Sequence, residues 1–109
     1  MVRWIRSHAQ YLEFKQPDFQ IRTAYFYVPV LLRDGETAVG ITISKKIGNA
    51  VQRNLLKRRI KAWLRQNFLV SSGYCLNLVA KRGVGELSWQ ELCTNLSELN
   101  SLLEKRSTQ

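Results

Sequence analysis

The segment Ala50–Asn67 constrains the fold most, because it contains neither glycine nor proline and consists largely of helix-forming residues. On a helical wheel at about 100° per residue, its apolar side chains occupy one arc and its cations an adjoining one. The apolar arc consists of Leu56, Ile60, Trp63 and Leu64. We therefore predict an amphipathic helix that packs this arc into a core and leaves the cations at the surface.

The cations of this helix share one edge. Arg53, Lys57 and Lys61 are four residues apart, so they stack about 6 Å from one another. Like charges at this spacing cost a few tenths of a kcal/mol per pair unless an anion offsets the repulsion. We define the cationic edge as Arg53, Asn54, Lys57, Arg58, Lys61 and Arg65. We predict that it binds phosphate, with Asn54 able to read a base edge or a 2′-hydroxyl.

The charges along the chain favour a polyanionic partner. Seventeen Lys and Arg against eight Asp and Glu give a net charge of +9, and residues 37–85 contain no acidic residue at all. An acid-free block of this kind indicates nucleic acid first and an anionic membrane surface second. Residues 1–6 lack the apolar segment of a signal peptide, and no stretch is long enough to span a bilayer. We expect a cytoplasmic protein.

The remaining segments predict a sheet with helices, in the order α-β-β-α-β-α, as one α+β sandwich domain over residues 1–109. Residues 22–32 and 37–46 are predicted to pair as a hairpin, with Pro29 marking a sheet edge or strand end. A turn at 33–36 would join them. The other predicted elements are a helix at 7–15 capped by Ser7, a stop at 71–73, a buried strand at Tyr74–Ala80, and a final helix opened by the capping box Ser88 and Glu91, with Leu92, Leu96, Leu99 and Leu103 on one stripe.

Neither a metal site nor a catalytic group is predicted. Cys75 and Cys93 are too few for a disulfide scaffold and lack metal-ligand spacing, so we interpret both as reduced core residues. His8, the single histidine, is interpreted as a surface residue. No cofactor is therefore expected on the protein itself.

A second part of the binding site is predicted on the sheet. Thr42, Ser44 and Lys46 alternate on the polar side of their strand, and Tyr25 and Tyr27 share one side of the preceding strand. Aromatic rings beside cations suit single-stranded RNA, in which a stacked base contributes about 1 to 3 kcal/mol. The alternative is that the two tyrosines are half-buried core residues.

Residues 43–61 (ISKKIGNAVQRNLLKRRIK) resemble the signature of the bacterial ribonuclease P protein. Residues 3–15, 79–84 and 87–89 resemble other parts of that family. The resemblance implies a left-handed β-α-β crossover and a noncatalytic role beside a ribozyme that uses magnesium. It also implies that the basic helix contacts the catalytic RNA, and that a cleft between this helix and the sheet holds the 5′ leader of precursor tRNA. No obligate protein partner is evident.

Individual residues carry the resemblance. Positions that match the family's helix motif are Arg53, Asn54, Lys57 and Arg58, with Lys61 where arginine is usual; Lys46 matches a strand-end lysine, and Phe14 and Tyr27 match aromatics of the cleft. The motif's third residue, usually arginine, is Leu55 here, and Gln10 stands where an aromatic is expected, next to Tyr11. The predicted RNA-binding residues are thus Lys45, Lys46 and the cationic edge; the predicted leader-binding residues are Phe14, Tyr25, Tyr27, Thr42 and Ser44.

Three functions compete at this point. The first is the protein subunit of ribonuclease P, which binds catalytic RNA and precursor tRNA while the RNA performs the cleavage. The second is a basic DNA-binding protein or another RNA-binding regulator; a groove-reading helix, however, normally follows another helix, and this one follows a strand. The third, a self-sufficient nuclease, is disfavoured because the acid-free block offers neither an acid-base pair nor a carboxylate cage for a metal.

Overall fold

The computed structural model describes residues 3–33, 37–67 and 73–107. Within these ranges the strands and α-helices are β1 (Arg3–Trp4), α1 (His8–Leu12), β2 (Phe19–Arg22), β3 (Phe26–Leu32), β4 (Ala38–Thr42), α2 (Ala50–Asn67), β5 (Tyr74–Ala80) and α3 (Trp89–Ser107). Short 3-10 turns follow α1 (Glu13–Lys15) and precede α2 (Lys45–Ile47) and α3 (Val84–Glu86). The predicted turns at 33–36 and 71–73 fall largely outside the described residues.

The strands form one sheet in the order β1-β4-β5-β3-β2. Strands β4 and β5 are parallel neighbours, and β1 is parallel to β4, whereas β3 is antiparallel to both β5 and β2. Because α2 lies between β4 and β5 in sequence, these three elements form a β-α-β crossover. The predicted α+β class is confirmed.

Helix α2 has the predicted bounds and buries the predicted arc. Leu56, Ile60, Trp63 and Leu64 are all buried, with Ile60 fully so at 0% exposure. The helix begins with reciprocal hydrogen bonds between Asn49 and Gln52: each side chain accepts from the backbone N–H of the other residue at 2.9 Å. This capping box stabilises the helix start and was not recognised in the sequence, although its Asn-x-x-Gln spacing is a known signal.

The two faces of the sheet are covered differently. On the helix-side face, α2 and the four stripe leucines of α3 pack against inward side chains of β3, β4 and β5 as one core cluster. On the opposite face, Tyr11 and Phe14 from the α1 region cover a smaller cluster that includes Leu31 and Cys75. The rest of that second face carries the half-buried or exposed residues Gln20, Arg22, Tyr27, Thr42 and Val79, which we call the open sheet face.

The predicted hairpin between residues 22–32 and 37–46 is wrong. Strand β5 lies between β3 and β4, so these two strands are not neighbours. The reason is that six of the seven residues of β5 are buried, and all of them except Asn77 are apolar or aromatic. A strand of this composition is most stable in the centre of a sheet, with a layer on each side.

The predicted element order lacked β1 and β2. The segment predicted as one strand, 22–32, contains a turn in which the Phe26 N–H donates to Thr23 Oγ1 at 3.1 Å and the Thr23 N–H donates to the Phe26 carbonyl at 2.9 Å. That turn pairs β2 with β3. It contains neither glycine nor proline, so no strong turn signal marks it in the sequence.

Pro29 does not mark a sheet edge. It lies in β3, which has β5 on one side and β2 on the other, and it is opposite Gln20 of β2. The ladder between β3 and β5 is interrupted at Val28 and Pro29 and continues on both sides of them in the same register. Proline has no N–H to donate, so the interruption lets this residue occupy an interior strand.

Both predicted helix caps are confirmed. Ser7 Oγ accepts from the Gln10 N–H at 3.2 Å and caps α1, which is shorter than predicted because it continues as a 3-10 turn. At α3, the Ser88 N–H donates to Glu91 Oε1 at 2.9 Å and the Glu91 N–H donates to Ser88 Oγ at 3.1 Å. The hydrogen bond from the Ser88 backbone, aided by one from its side chain, holds the pKa of Glu91 below its ordinary value.

We predict that Ile60→Ala destabilises the fold by about 2 to 5 kcal/mol, because it removes a fully buried side chain and leaves a cavity. The measurement is urea unfolding followed by circular dichroism. Val51→Ala is the matched control on the same helix, since Val51 is 75% exposed, and its midpoint should stay close to that of the unaltered chain. An unchanged midpoint for Ile60→Ala would show that α2 does not pack through this arc.

The capping box of α3 predicts a pH dependence of stability. Since folding lowers the pKa of Glu91, the carboxylate stabilises the fold above the unfolded value of about 4.5, and this contribution is lost as the pH falls through the folded value. The free energy of unfolding should therefore fall less steeply with decreasing pH in Glu91→Gln than in the unaltered chain. Glu98→Gln, at an exposed position of the same helix, is the control; identical pH profiles for all three chains would contradict the prediction.

Candidate RNA-binding surfaces

The cationic edge lies on the side of α2 next to its buried arc. Asn54, Lys57, Arg58 and Arg65 are exposed, while Arg53 and Lys61 are half-buried. Among the described residues, no carboxylate lies within ion-pairing distance of a cation of α2. The edge therefore presents positive charge that nothing in the described part of the chain neutralises, and it can bind an external anion without first breaking an ion pair.

Two members of the edge are held in place by neighbouring groups. Arg53 Nε donates to the Gly48 carbonyl at 3.2 Å. Lys61 Nζ lies 5.2 Å from the ring centroid of Trp4, within the range of a cation-π interaction. These contacts reduce the conformational freedom that binding would otherwise have to remove.

Ser44, Lys45 and Lys46 are exposed and lie between β4 and α2. The two lysines belong to the 3-10 turn before the helix, so their charges lie near its N-terminal end, where the helix dipole also attracts anions. At Gly48, an added Cβ would collide with the side chain of Gln52, which is part of the capping box. The Gly48 backbone therefore packs closely against the capping box, which places the 3-10 turn with Lys45 and Lys46 directly before the helix.

The open sheet face contains two of the predicted leader-binding residues in one row. Thr42 of β4 and Tyr27 of β3 are both opposite Val79 of the intervening β5. Thr42 Oγ1 donates to Asn77 Oδ1 at 2.9 Å.

Tyr27 is oriented by two residues of β2. Its hydroxyl donates to Gln20 Oε1 at 2.7 Å, and the Arg22 guanidinium lies 4.7 Å from its ring centroid. The open sheet face therefore presents the Thr42 hydroxyl on β4, the Tyr27 ring on β3 and the Arg22 guanidinium on β2.

The other predicted leader-binding residues do not join this row. Tyr25 precedes β3, packs against the helix-side core and lies beside Gly83, so the prediction that it shares a face with Tyr27 is wrong. Phe14 is only 7% exposed and packs in the smaller cluster, where it supports α1. Ser44 lies beyond the end of β4.

The predicted residues also do not form a cleft with α2. Helix α2 covers the helix-side face of the sheet, and the space beneath it is filled by its own buried arc. Tyr27 and Thr42 belong to the opposite face, because the side chains of a strand alternate. The cationic edge and the open sheet face are therefore separate surfaces.

The two departures from the family pattern have clear positions. Leu55 is 40% exposed and lies on the flank of α2 away from the cationic edge, beside Arg59 and Leu87. Gln10 is half-buried, and its neighbour Tyr11 packs closely against β4, where a Cβ at Gly40 would approach the ring to 2.6 Å. Tyr11 thus covers the part of the sheet at Gly40, next to the position of Gln10 where the family has an aromatic residue.

One feature was missed in the sequence. A groove with a volume of about 300 Å³ lies between the cationic edge and the β1 side of the sheet, and we call it the edge groove. It is lined by Trp4, Ile5, Arg6, Tyr11, Val39, Ile41, Lys57 and Lys61. Residues 3–6 had no recognised strand, so nothing in the sequence indicated that Trp4 and Arg6 lie beside α2.

None of the helices in the described ranges is long and apolar enough to cross a membrane.

Comparison with known proteins identifies the family. A family model described as Ribonuclease P matches residues 3–105. The ribonuclease P protein component of Geobacter sp. (strain M21) is 38% identical over 98 residues, which cover 89% of this chain and 84% of that protein. A mutant RNase P protein of Staphylococcus aureus has a TM-score of 0.83 at 19% identity, covering 93% of this chain and 87% of that one. The RNase P protein of Thermotoga maritima has a TM-score of 0.79 at 20% identity, covering 89% and 94%. The chain therefore belongs to the ribonuclease P protein family.

Proposed function

We propose that this chain binds the catalytic RNA of ribonuclease P through its cationic edge and assists the removal of 5′ leaders from precursor tRNA. As a member of its family it is a subunit of ribonuclease P and serves tRNA processing. The observation that carries the proposal is the cationic edge itself, whose charges have no acidic partner among the described residues. Phosphate groups of a folded RNA would offset the repulsion along this edge.

The open sheet face is the proposed site for the single-stranded leader. Unpaired bases stack on aromatic rings and on guanidinium planes, and Tyr27 and Arg22 provide one of each. Thr42 adds a hydroxyl at the other end of the row. In this arrangement the catalytic RNA and the leader contact different sides of the protein, so one chain can hold both.

We assign the cleavage chemistry to the RNA and its magnesium ions. The acid-free block provides no carboxylate or histidine to act as a general base. Among the described residues, no three His, Cys, Asp or Glu side chains come together as a metal site. The protein's part is to raise the affinity of the RNA for its substrate, and the cytoplasm, where precursor tRNAs are made in bacteria, is the location that fits this role.

We predict that the chain enhances cleavage of precursor tRNA by a bacterial ribonuclease P RNA at low magnesium, because its cations replace part of the screening that magnesium provides at high concentration. The measurement is the single-turnover cleavage rate with and without protein. At one salt concentration the chain should also bind structured RNA more tightly than duplex DNA of similar length. Absence of enhancement across a range of protein concentrations would overturn the proposed function, and preference for duplex DNA would favour a DNA-binding role.

Removal of single charges tests the cationic edge. Arg53→Ala and Lys57→Ala should each weaken binding to ribonuclease P RNA and lower the slope of log affinity against log salt by roughly 0.7 to 0.9 for each lost phosphate contact. Arg59→Ala is the matched control, since Arg59 belongs to the same helix but lies on the opposite flank. Equal slopes for the three variants would place the RNA elsewhere on the protein.

A further inference from the structure

We infer that the edge groove binds one unstacked RNA nucleotide, with its base against Trp4 and its phosphate between the lysines of α2. This inference rests on the proposed function and names a second contact for the RNA. Its basis is that two aromatic side chains, Trp4 and Tyr11, and three cations line one groove.

The charges of the edge groove converge from two directions. Lys57 and Lys61 extend from α2, and Arg6 extends from the segment between β1 and α1. No acidic residue belongs to the lining, and among the described residues none of these cations has a carboxylate within ion-pairing distance. Three like charges around a groove of this size favour a bound anion, and Arg6 can grip a phosphate with two parallel hydrogen bonds.

The aromatic component is Trp4. It is half-buried, packs against the helix-side core, and has Lys61 Nζ at 5.2 Å from its ring centroid. Trp4 packs against the core and Lys61 Nζ lies over its ring, so a stacking base takes the place of the ammonium, and the displaced Lys61 binds the phosphate of the same nucleotide.

The shape of the groove selects an unpaired nucleotide. Within the described residues, β1 pairs with β4 at Arg3 and Trp4, and the Ile5 N–H donates to the Val39 carbonyl at 2.9 Å. Strand β4 extends past this point, and Ile41 forms part of the floor of the groove. The resulting volume of about 300 Å³ is at the lower end of small-ligand sites and is too small to hold a duplex. A base would have to leave its stack to enter, as unpaired bases of RNA loops, bulges and leaders can.

Tryptophan fluorescence tests the inference directly. Trp89→Phe removes the exposed tryptophan of α3 and leaves Trp4 together with Trp63, which is only 6% exposed and shielded in the core. A short single-stranded RNA titrated into Trp89→Phe should quench the remaining fluorescence, because a base stacks on Trp4. Absence of quenching at saturating RNA would overturn the inference. This measurement leaves Trp4 in place, so it is decisive even if substitutions at that position impair folding.

Substitution of Trp4 measures how much the stacked base contributes to RNA affinity, and it shows which RNA supplies the nucleotide. Trp4→Leu should weaken RNA binding roughly five- to 150-fold, the range for loss of one stacked base, whereas Trp4→Phe should restore most of the affinity. Weaker binding to the catalytic RNA alone would identify the ribozyme as the source. An unchanged affinity for that RNA, with a raised KM for precursor tRNA that has a leader but not for leaderless tRNA, would identify the leader.

The outcomes separate the two proposals. Suppose that the unaltered chain enhances cleavage, and that Trp4→Leu is folded by circular dichroism and binds RNA and enhances cleavage equally well. The groove is then not a nucleotide site, and the proposed function stands. If the unaltered chain fails to enhance cleavage, the proposed function fails independently of Trp4.

Discussion

The packing of α2 on the sheet is the interaction on which the rest of the structure depends. Leu56, Ile60, Trp63 and Leu64 fix the rotation of the helix about its own axis, because only one orientation buries all four. Rotation by one position toward the cationic edge, about 100°, would bury Lys57, Lys61 and Arg65. Burial of an unpaired cation costs several kcal/mol, so the core enforces the position of the cationic edge. The binding surface is thus a consequence of how the core is packed.

The central position of β5 has an equally direct effect on the second surface. Because β5 carries apolar side chains on both faces, it is covered on both sides: α1 covers Cys75 on the side away from α2, and the Thr42 hydroxyl pairs with the buried Asn77 there. The remaining area is the open sheet face, where Val79 is flanked by Thr42 and Tyr27. The route into α2 also matters, since a strand and a 3-10 turn precede it rather than the first helix of a helix-turn-helix pair. This connectivity is consistent with an RNA-binding protein and not with that class of DNA-binding domain.

The sequence was informative for most local signals, although the local capping box of Asn49 and Gln52 was missed. Helix α2 and strand β5 have the predicted bounds, and the caps at Ser7 and Ser88 form as predicted, because propensity, periodicity and capping depend on residues a few positions apart. Strand order is set by pairing between distant segments, so a hairpin was predicted where β5 intervenes. Strand β1 has only two residues and shows no periodicity, which concealed the edge groove. Tyr25 and Tyr27 appeared equivalent because the turn that separates their faces contains no glycine or proline.

The cationic edge also sets a balance between stability and function. Its like charges repel one another in the free protein, and the cation-π contact of Lys61 with Trp4 and the Arg53 hydrogen bond to Gly48 hold two of the side chains in spite of that repulsion. In the proposed complex, RNA phosphates would offset this repulsion, because one phosphate can accept hydrogen bonds from two neighbouring cations. Binding to the folded chain alone then stabilises it by about 2.7 kcal/mol when the free RNA is at one hundred times Kd. The helix is therefore most stable in the complex, and a surface that is unfavourable in isolation becomes favourable when it performs its role.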